Sequence, residues 1–453
     1  MTLSCAISLM LVFLFTIATS LSVSRMIQHG GTLHAHGTLS IYVADVPAAY
    51  VTGTYGKGAE ETNLQYGHAS FGPLLSAEHE QWASTWHSVT AWYIEQIKTS
   101  PLRTYDAASA DIIFVPAMLN QADPAQQDRF IAAVDQFLPF LTTKPHLIVL
   151  THAPDWYYSQ LLKHVNSHSF VFVSWGQLTG WSPNFVGSPA FSFIHWSRGS
   201  EHLQTKQRSF DAKATETSKT ILVAESFVVR DYPDRFAVFD DCAAAPENCT
   251  HLNFTSLSNG TAAFKAFRSA WYVLHPKGEF LTRNSLYDTL LADAVPVFFQ
   301  AEYIDSVPFA DILNYTTIAV YIPQDEVVGD NKTKVVQRLA QDFDKQEVLS
   351  QIEYIHAVRH LFQYMQNPDH DLIRWDQRST VHPDDDAFTF TMKSVLRNLC
   401  NRTWRAKKCG VISRLIAEKK QLVAKLSEVS RTKIVHQKAT RRLQRHVEGF
   451  EGS

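Results

Sequence analysis

The chain has no internal repeat and no G-x-G-x-x-G, so neither a solenoid nor the glycine-rich dinucleotide fingerprint is written in it. It has no marked excess of either charge: 41 Lys and Arg stand against 44 Asp and Glu, a formal charge of −3, which gives no general signal for a polyanion partner. Cysteine is sparse, with five in all. Apart from Cys5, they fall as two close pairs, Cys242 with Cys249 and Cys400 with Cys409, each spanning a short loop. Two disulfides would suit an oxidising lumen, and four unrelated thiols remain the alternative because connectivity is not written in sequence.

Against those absences stand three positive features. Thr2 to Ser24 carries no charged residue and centres on Leu9-Met10-Leu11-Val12-Phe13-Leu14-Phe15, approaching the roughly 20 residues of a membrane span. It reads as a signal-anchor. The small residues Ala18 and Ser20, with no Lys or Arg before them, leave a cleaved signal peptide as the alternative. Six Asn-x-Ser/Thr sequons, at Asn248, Asn253, Asn259, Asn314, Asn331 and Asn401, occur among 13 asparagines. That exceeds the about two expected by chance and fits N-glycosylation in a lumen. From Arg402 onward, 14 Lys and Arg face 4 Asp and Glu, so the tail is basic and the body acidic. Nucleic acid is not the expected partner there. The basic stretch Arg431 to Arg445 would meet an anionic glycan, a lipid surface or a partner chain, or would be a solvated helix face.

At 453 residues two domains plus appendages are expected. Residues 1–24 are the anchor or signal peptide, and 25–39, with His29, His34 and His36, read as a stem rather than a metal site. From residue 40 to 212, strand-like runs alternate with helical ones: Ser40–Val43, a Trp-rich helix Trp82–Ile97, Asp111–Val115, a helix Gln127–Leu138, His146–Leu150, Phe170–Val173 and Phe191–Ile194. Asp211–Thr220 reads as a linker. Between 213 and 368 the pattern restarts with Thr220–Ala224, Ala270–Leu274, Val295–Phe299 and Ile318–Ile322, plus a helix Asn284–Asp293. Continuous apolar strands separated by helices predict parallel sheets covered on both faces. The expected fold is α/β, with two Rossmann-like domains facing across a cleft in the GT-B manner and ligands at the carboxyl ends of the strands. Residues 369–453 form an extension, Asp384-Asp385-Asp386 in a turn and Val411–Val447 as a long basic helix.

Chemistry concentrates in Trp271–Phe299, WYVLHPKGEFLTRNSLYDTLLADAVPVFF. Strand, glycine-bearing loop and helix in succession suit a diphosphate. Gly278 permits close approach, and Thr282, Arg283, Asn284 and Ser285 bring backbone N–H groups and a cation. Asp288 is placed for a ribose hydroxyl. An ordinary βα unit with a surface Arg is the plainer alternative.

The same segment resembles the signature of the exostosin-like glycosyltransferases, family 47, and most of all its plant xyloglucan galactosyltransferase branch, P-x-G-D-x-x-x-R-R-x-x-F-D-x-x-x-x-G-C-x-P-V-F-F. Pro276, Gly278, Arg283, Asp288, Pro296, Val297, Phe298 and Phe299 match, while Glu279, Asn284, Tyr287, Asp293 and Ala294 depart. Thr104–Pro116, His146–Trp156, the run from Arg230 and Arg235 to Cys242 and Cys249, and Tyr315–Glu326 resemble further family stretches. The resemblance implies an inverting transferase that moves a sugar from a UDP-sugar to a polysaccharide or glycoprotein glycan. Arg230 and Arg235 would join the donor site, and a base in the first domain would be Asp155, His152 or His195. No cofactor beyond the UDP-sugar co-substrate is implied. Asp240-Asp241 and the 384–386 run read as turns, with a divalent metal unsettled. Trp82, Trp86, Trp92, Tyr93, Trp175 and Trp181 would mostly pack the core, or else stack on acceptor sugars. The expected place is the Golgi membrane, single-pass type II with a luminal catalytic domain, and the endoplasmic reticulum or secretion is the lesser alternative. A homo- or hetero-oligomer is allowed. A catalytically silent family member acting as a glycan-binding or partner subunit is the competing reading.

Overall fold

Runs such as Ile112-Ile113-Phe114-Val115 and Ala270-Trp271-Tyr272-Val273-Leu274 have no polar alternation, and every residue in them is buried. Strands written this way must be covered on both faces. A computed structural model describes residues 39–47, 50, 74–76, 81–82, 88–117, 124–150, 170–174, 185–189, 196–197, 210–227, 232–252, 260–278, 283–310, 312–328, 333–366 and 385–401.

The first half comprises β1 (Ile41–Val43), β2 (Leu74–Ser76), β3 (Gln81–Trp82), α1 (Ser88–Thr99), β4 (Arg103–Thr104), β5 (Ile112–Val115), α2 (Pro124–Phe137), β6 (His146–Leu150), β7 (Phe170–Ser174), β8 (Phe185–Gly187) and β9 (Trp196–Ser197). Six of these strands form a parallel sheet in the order β4-β1-β5-β6-β7-β8. Successive side chains alternate faces. Ile112, Phe114, Leu147 and Val149 therefore enter one core with Trp92 and Tyr93 of α1, and Ile113, Val115, Ile148 and Leu150 enter another with Phe130 of α2.

The second half runs α3 (Ala212–Ser218), β10 (Ile221–Ser226), α4 (Pro233–Ala243), β11 (Cys249–Leu252), α5 (Gly260–Ser269), β12 (Ala270–His275), α6 (Asn284–Leu291), β13 (Val295–Phe298), α7 (Glu302–Ser306), β14 (Val320–Tyr321), α8 (Gln324–Val327), α9 (Val335–Gln341) and α10 (Lys345–Val358). Its parallel sheet has the order β11-β10-β12-β13-β14. Counted within each half, both sheets read 2-1-3-4-5, the first with one strand more. In such doubly wound sheets the order reverses beside the first strand, which here places one crevice at the carboxyl ends of β10 and β12.

The chain then returns to the first half. β15 (Met365–Gln366) pairs with β9, and α11 (Ala387–Asn401) lies against β7 and β8. Phe388, Met392, Val395, Leu396 and Leu399 of α11 enter the first-half core, while Phe390 enters that of the second half and meets Phe309 edge-on at 4.7 Å. Residues 38–453 accordingly group as one unit.

Several expectations are corrected. Trp82 is not helical: Gln81 and Trp82 pair antiparallel with Leu74–Ser76, and the helix starts only at Ser88. Asp211–Thr220 is not a bare linker, because Asp211 caps α3 by accepting the Lys213 and Ala214 amides, both at 3.0 Å. Asp240 and Asp241 sit in α4 rather than a turn, and Asp241 accepts the Val336 amide at 2.7 Å at the start of α9. Asp386 precedes α11 and accepts the Thr389 amide, and Asp385 forms a buried pair with Lys393 at 2.7 Å. Asp386 thus holds the helix start, and Asp385 ties it to the second turn. Residue 384 and residues 402–453 lie outside the described residues, as do the anchor, residues 25–38 of the stem and Phe191–Ile194, whereas Leu39, expected in the stem, is buried in the first-half core. Cys242 and Cys249 are bonded, joining the end of α4 to β11, and Cys400 is itself disulfide-bonded, while Cys409 lies outside the described residues. No helix among the described residues is long and apolar enough to cross a membrane.

Because Phe390 is the one α11 side chain that enters the second-half core, Phe390→Ala should lose about 3–5 kcal/mol in urea unfolding. An unchanged midpoint would show that α11 does not tie the halves together.

Candidate functional site

β12 ends at His275 and passes into Pro276-Lys277-Gly278. A residue leaving a strand loses its ladder partners, so the Lys277 peptide needs others. The first turn of α4 supplies both. Asp234 Oδ2 accepts the Lys277 amide at 2.7 Å, and Arg235 Nε donates to the Lys277 carbonyl at 2.8 Å. Asp234 also accepts its neighbour's amide through Oδ1 at 3.1 Å and Gln300 Nε2 through Oδ2 at 3.2 Å. One fully buried carboxylate thus ties α4, the turn after β12 and the segment after β13 together. Gly278 is buried while the Lys277 side chain is exposed.

Two guanidinium groups flank this turn. Arg235 lies over the Tyr232 ring at 4.8 Å. Arg283 precedes α6, is half-buried, and reaches the Pro276 carbonyl with Nη1 at 3.5 Å. Burial first, and Arg235 second, lower its pKa to about 10, which leaves it charged near neutral pH. No side chain caps α6 and its first turn carries no acid, so its leading N–H groups are not taken by a capping side chain. His275 is pushed down to about 3 by burial and then by Arg283. Thr289 Oγ1 donates to the Ser285 carbonyl at 2.6 Å and therefore accepts from His275 Nε2–H at 3.1 Å, which fixes the Nε2–H tautomer of the neutral ring. Two guanidinium groups, Arg235 and Arg283, thus lie at a turn whose buried carboxylate is Asp234, with the exposed Lys277 on the turn itself. The arrangement suits a multiply charged anion at the crevice where the strand order reverses.

Of the residues expected from sequence, Gly278, Arg283 and Arg235 gather here. Asn284 and Ser285 open α6 half-buried, and Asp288 is 3% exposed on the same helix, between fully buried Tyr287 and Thr289. Thr282, Arg230, Asp155, His152, His195, Trp86, Trp175 and Trp181 lie outside the described residues. Trp92 and Tyr93 are core residues. His146 is buried, its two ring nitrogens each 3.0 Å from a carbonyl, of Lys144 and Pro139. Among the sequons, Asn314 accepts the Thr316 amide at 3.1 Å and Asn248 bonds Glu247 at 3.0 Å, Asn401 closes α11, and Asn253, Asn259 and Asn331 lie outside the described residues. Sequence reasoning missed Asp234, His275, Gln300 and Tyr303. Only Asp234 left a signal, the Pro-Asp pair that opens a helix.

A parallel α/β protein with two guanidinium groups at the turn of its second switch point is the class these features define. The exostosin GT47 domain matches residues 36–339, more than half the chain. The chain belongs to the exostosin GT47 family. It is 22% identical over 324 residues to the probable xyloglucan galactosyltransferase GT15 of Arabidopsis thaliana, covering 60% of this chain and 64% of that protein. It is 30% identical over 233 residues to the xyloglucan galactosyltransferase MUR3 of the same plant, covering 48% and 33%. The chain therefore spans less than two thirds of either relative. Among solved structures, Arabidopsis thaliana UGT89C1 complexed with UDP aligns at TM-score 0.32 and 11% identity, covering 74% of this chain and 83% of that one, a likeness too slight to carry an argument.

Asp234→Asn should cost about 2–3 kcal/mol, since an amide hydrogen replaces an acceptor that buried donors require. Denaturant unfolding measures it, and a loss under half of that would remove Asp234 from the centre of the site. For His275, the unfolded chain takes up a proton near 6.5, which the folded state resists until about 3, so the unfolded state binds more protons in that window. Stability should then fall below pH 6.5 by up to about 1.4 kcal/mol per unit from this group. His275→Gln, which keeps an N–H for Thr289, should show a smaller drop between pH 7 and pH 5.

Proposed function

We propose that the chain is an inverting glycosyltransferase that moves a sugar from a UDP-sugar to a glycan acceptor. The observation that carries it is the clamped Lys277 peptide between Arg235 and Arg283 at the carboxyl end of β12. In this reading the two halves face each other in the GT-B manner, the second holding the donor and the first the acceptor. The acceptor oxygen attacks the anomeric carbon, the bond from that carbon to the diphosphate oxygen breaks, and UDP leaves with the electron pair. Arg235, Lys277 and Arg283 meet the charge that grows on the leaving group. The acceptor proton goes to a base in the first half, for which Asp155, His152 and His195 are the candidates.

Transfer is favoured over a silent binding subunit by one feature. Where the family pattern has a second arginine the chain has Asn284, yet Arg235 brings a second guanidinium from α4. The names of the relatives point to a xyloglucan-type polysaccharide acceptor and a galactose donor. Golgi residence with a single amino-terminal anchor is supported by the apolar Thr2–Ser24 segment, the sequons and the Cys242–Cys249 bond.

Titration calorimetry with UDP tests the reading. The wild type should bind, and Arg283→Ala should weaken binding at least about tenfold through loss of a charge-assisted contact. Binding of equal strength by both would move the donor elsewhere.

A further inference from the structure

Tyr303, in α7 just beyond β13, is 1% exposed and stacks on Phe298 with ring centroids 5.0 Å apart at 17°. Its ring is ordinary core, but its hydroxyl is not. That oxygen is buried and has no hydrogen-bond partner. Phenylalanine would fill the same volume without the cost of an unpartnered polar group. The surroundings are those of the candidate site: Arg283, Asp234, Arg235 and the Gly278 amide all act on the hydroxyl, the amide leaning toward it without good hydrogen-bond geometry. Burial raises its pKa to about 12, so the hydroxyl stays protonated and keeps lone pairs for a donor. Gln300 repeats the pattern. Its Nε2 is held by Asp234 Oδ2 while its buried Oε1 has no partner. Two unpartnered polar atoms thus sit on the residues that follow β13, around the turn that the Asp234 carboxylate holds.

We propose that Tyr303 is a positioning residue of the donor site, its hydroxyl accepting from the Gly278 amide and the Arg283 guanidinium once a nucleoside diphosphate draws them together. The Gly278 amide already leans toward that hydroxyl, and the ligand completes the bond. This rests on the donor-site reading above. A diphosphate on the turn neutralises the repulsion between Arg235 and Arg283 and lets Arg283 settle toward the tyrosine.

Tyr303→Phe separates this role from core packing by the direction of two effects. In the free variant the melting temperature should be no lower than in the wild type, because the group removed had no partner. The Kd for UDP should rise about tenfold, the worth of one hydrogen bond to a charged group. In the wild type, hydrogen exchange at the Gly278 amide should slow when UDP is added, a readout that does not depend on the variant folding. Equal UDP affinity in Tyr303→Phe, with Arg283→Ala weakened, would overturn this inference alone. So would a free variant melting more than about 3 °C lower, which would show the hydroxyl already bonded, or an amide exchange rate that UDP leaves unchanged. A wild type that does not bind UDP would remove the donor-site reading and this inference together.

Discussion

Everything proposed for the second half depends on how one peptide unit is held. Lys277 gives its N–H to Asp234 and receives on its C=O a bond from Arg235, two adjacent residues in the first turn of α4. Charged partners make both bonds stronger than those between neutral groups. The turn is therefore fixed in place before any ligand arrives, Gly278 buried and the Lys277 ammonium stem turned outward. A fixed turn is what an anion site needs, since donors that must first be ordered return part of the binding energy as lost freedom.

The same grip sets the electrostatics. Holding Arg235 by its Nε leaves its guanidinium near that of Arg283, and each disfavours the other. Asp234 offsets part of this, but its oxygens are already committed to the Lys277 and Arg235 amides and to Gln300. A dianion or trianion would meet a region whose charges are pre-gathered and partly dehydrated, where attraction is stronger than in water. The neutral His275 fits the same picture, as a second cation beside Arg283 in the buried layer would add repulsion without reaching the ligand side.

The strands were legible because burial on two faces writes them as unbroken apolar runs; His146–Leu150 is found at its expected bounds and Ala270–His275 within one residue. What was not legible depended on distant partners. Trp82 reads as helical by its neighbours, yet Leu74 makes it a strand residue. Helix α11 carries a helical stripe, Phe388, Met392, Val395, Leu396 and Leu399, but it follows an acidic run and sends Phe390 off that stripe into the other core, a division no local pattern announces. At the site, Gly278 and Arg283 carried local signals of turn and cation. Asp234 meets Lys277 across 43 residues and Gln300 across 66, and no pattern within one sequence marks such pairings.

The departures from the family pattern gain a different meaning in place. Asp293 stands where the pattern has glycine, and its φ of 53° shows why, since the chain turns through the left-handed region as α6 ends. A side chain there costs ~1 kcal/mol over glycine. Here the carboxylate meets Arg359 at 2.5 Å and His356 at 3.3 Å. Arg359 also reaches the Leu291 carbonyl at 3.4 Å, and Lys219 donates to that of Ala292 at 3.5 Å, so the end of α6 is lined by donors, of which the Arg359 charge favours its dipole. Burial depresses Lys219 to about 7, and the Asp293 charge opposes that fall. Ala294 is fully buried among Ala224, Ala263 and Ala270, where a larger side chain would have to displace its neighbours. Both positions precede β13 at its amino end, whereas Lys277 and Gly278 follow the carboxyl end of β12, which runs parallel to it. They therefore lie at the opposite end of the strands from the Lys277 turn, and exchanging them bears on how α6 is anchored rather than on Arg235 and Arg283.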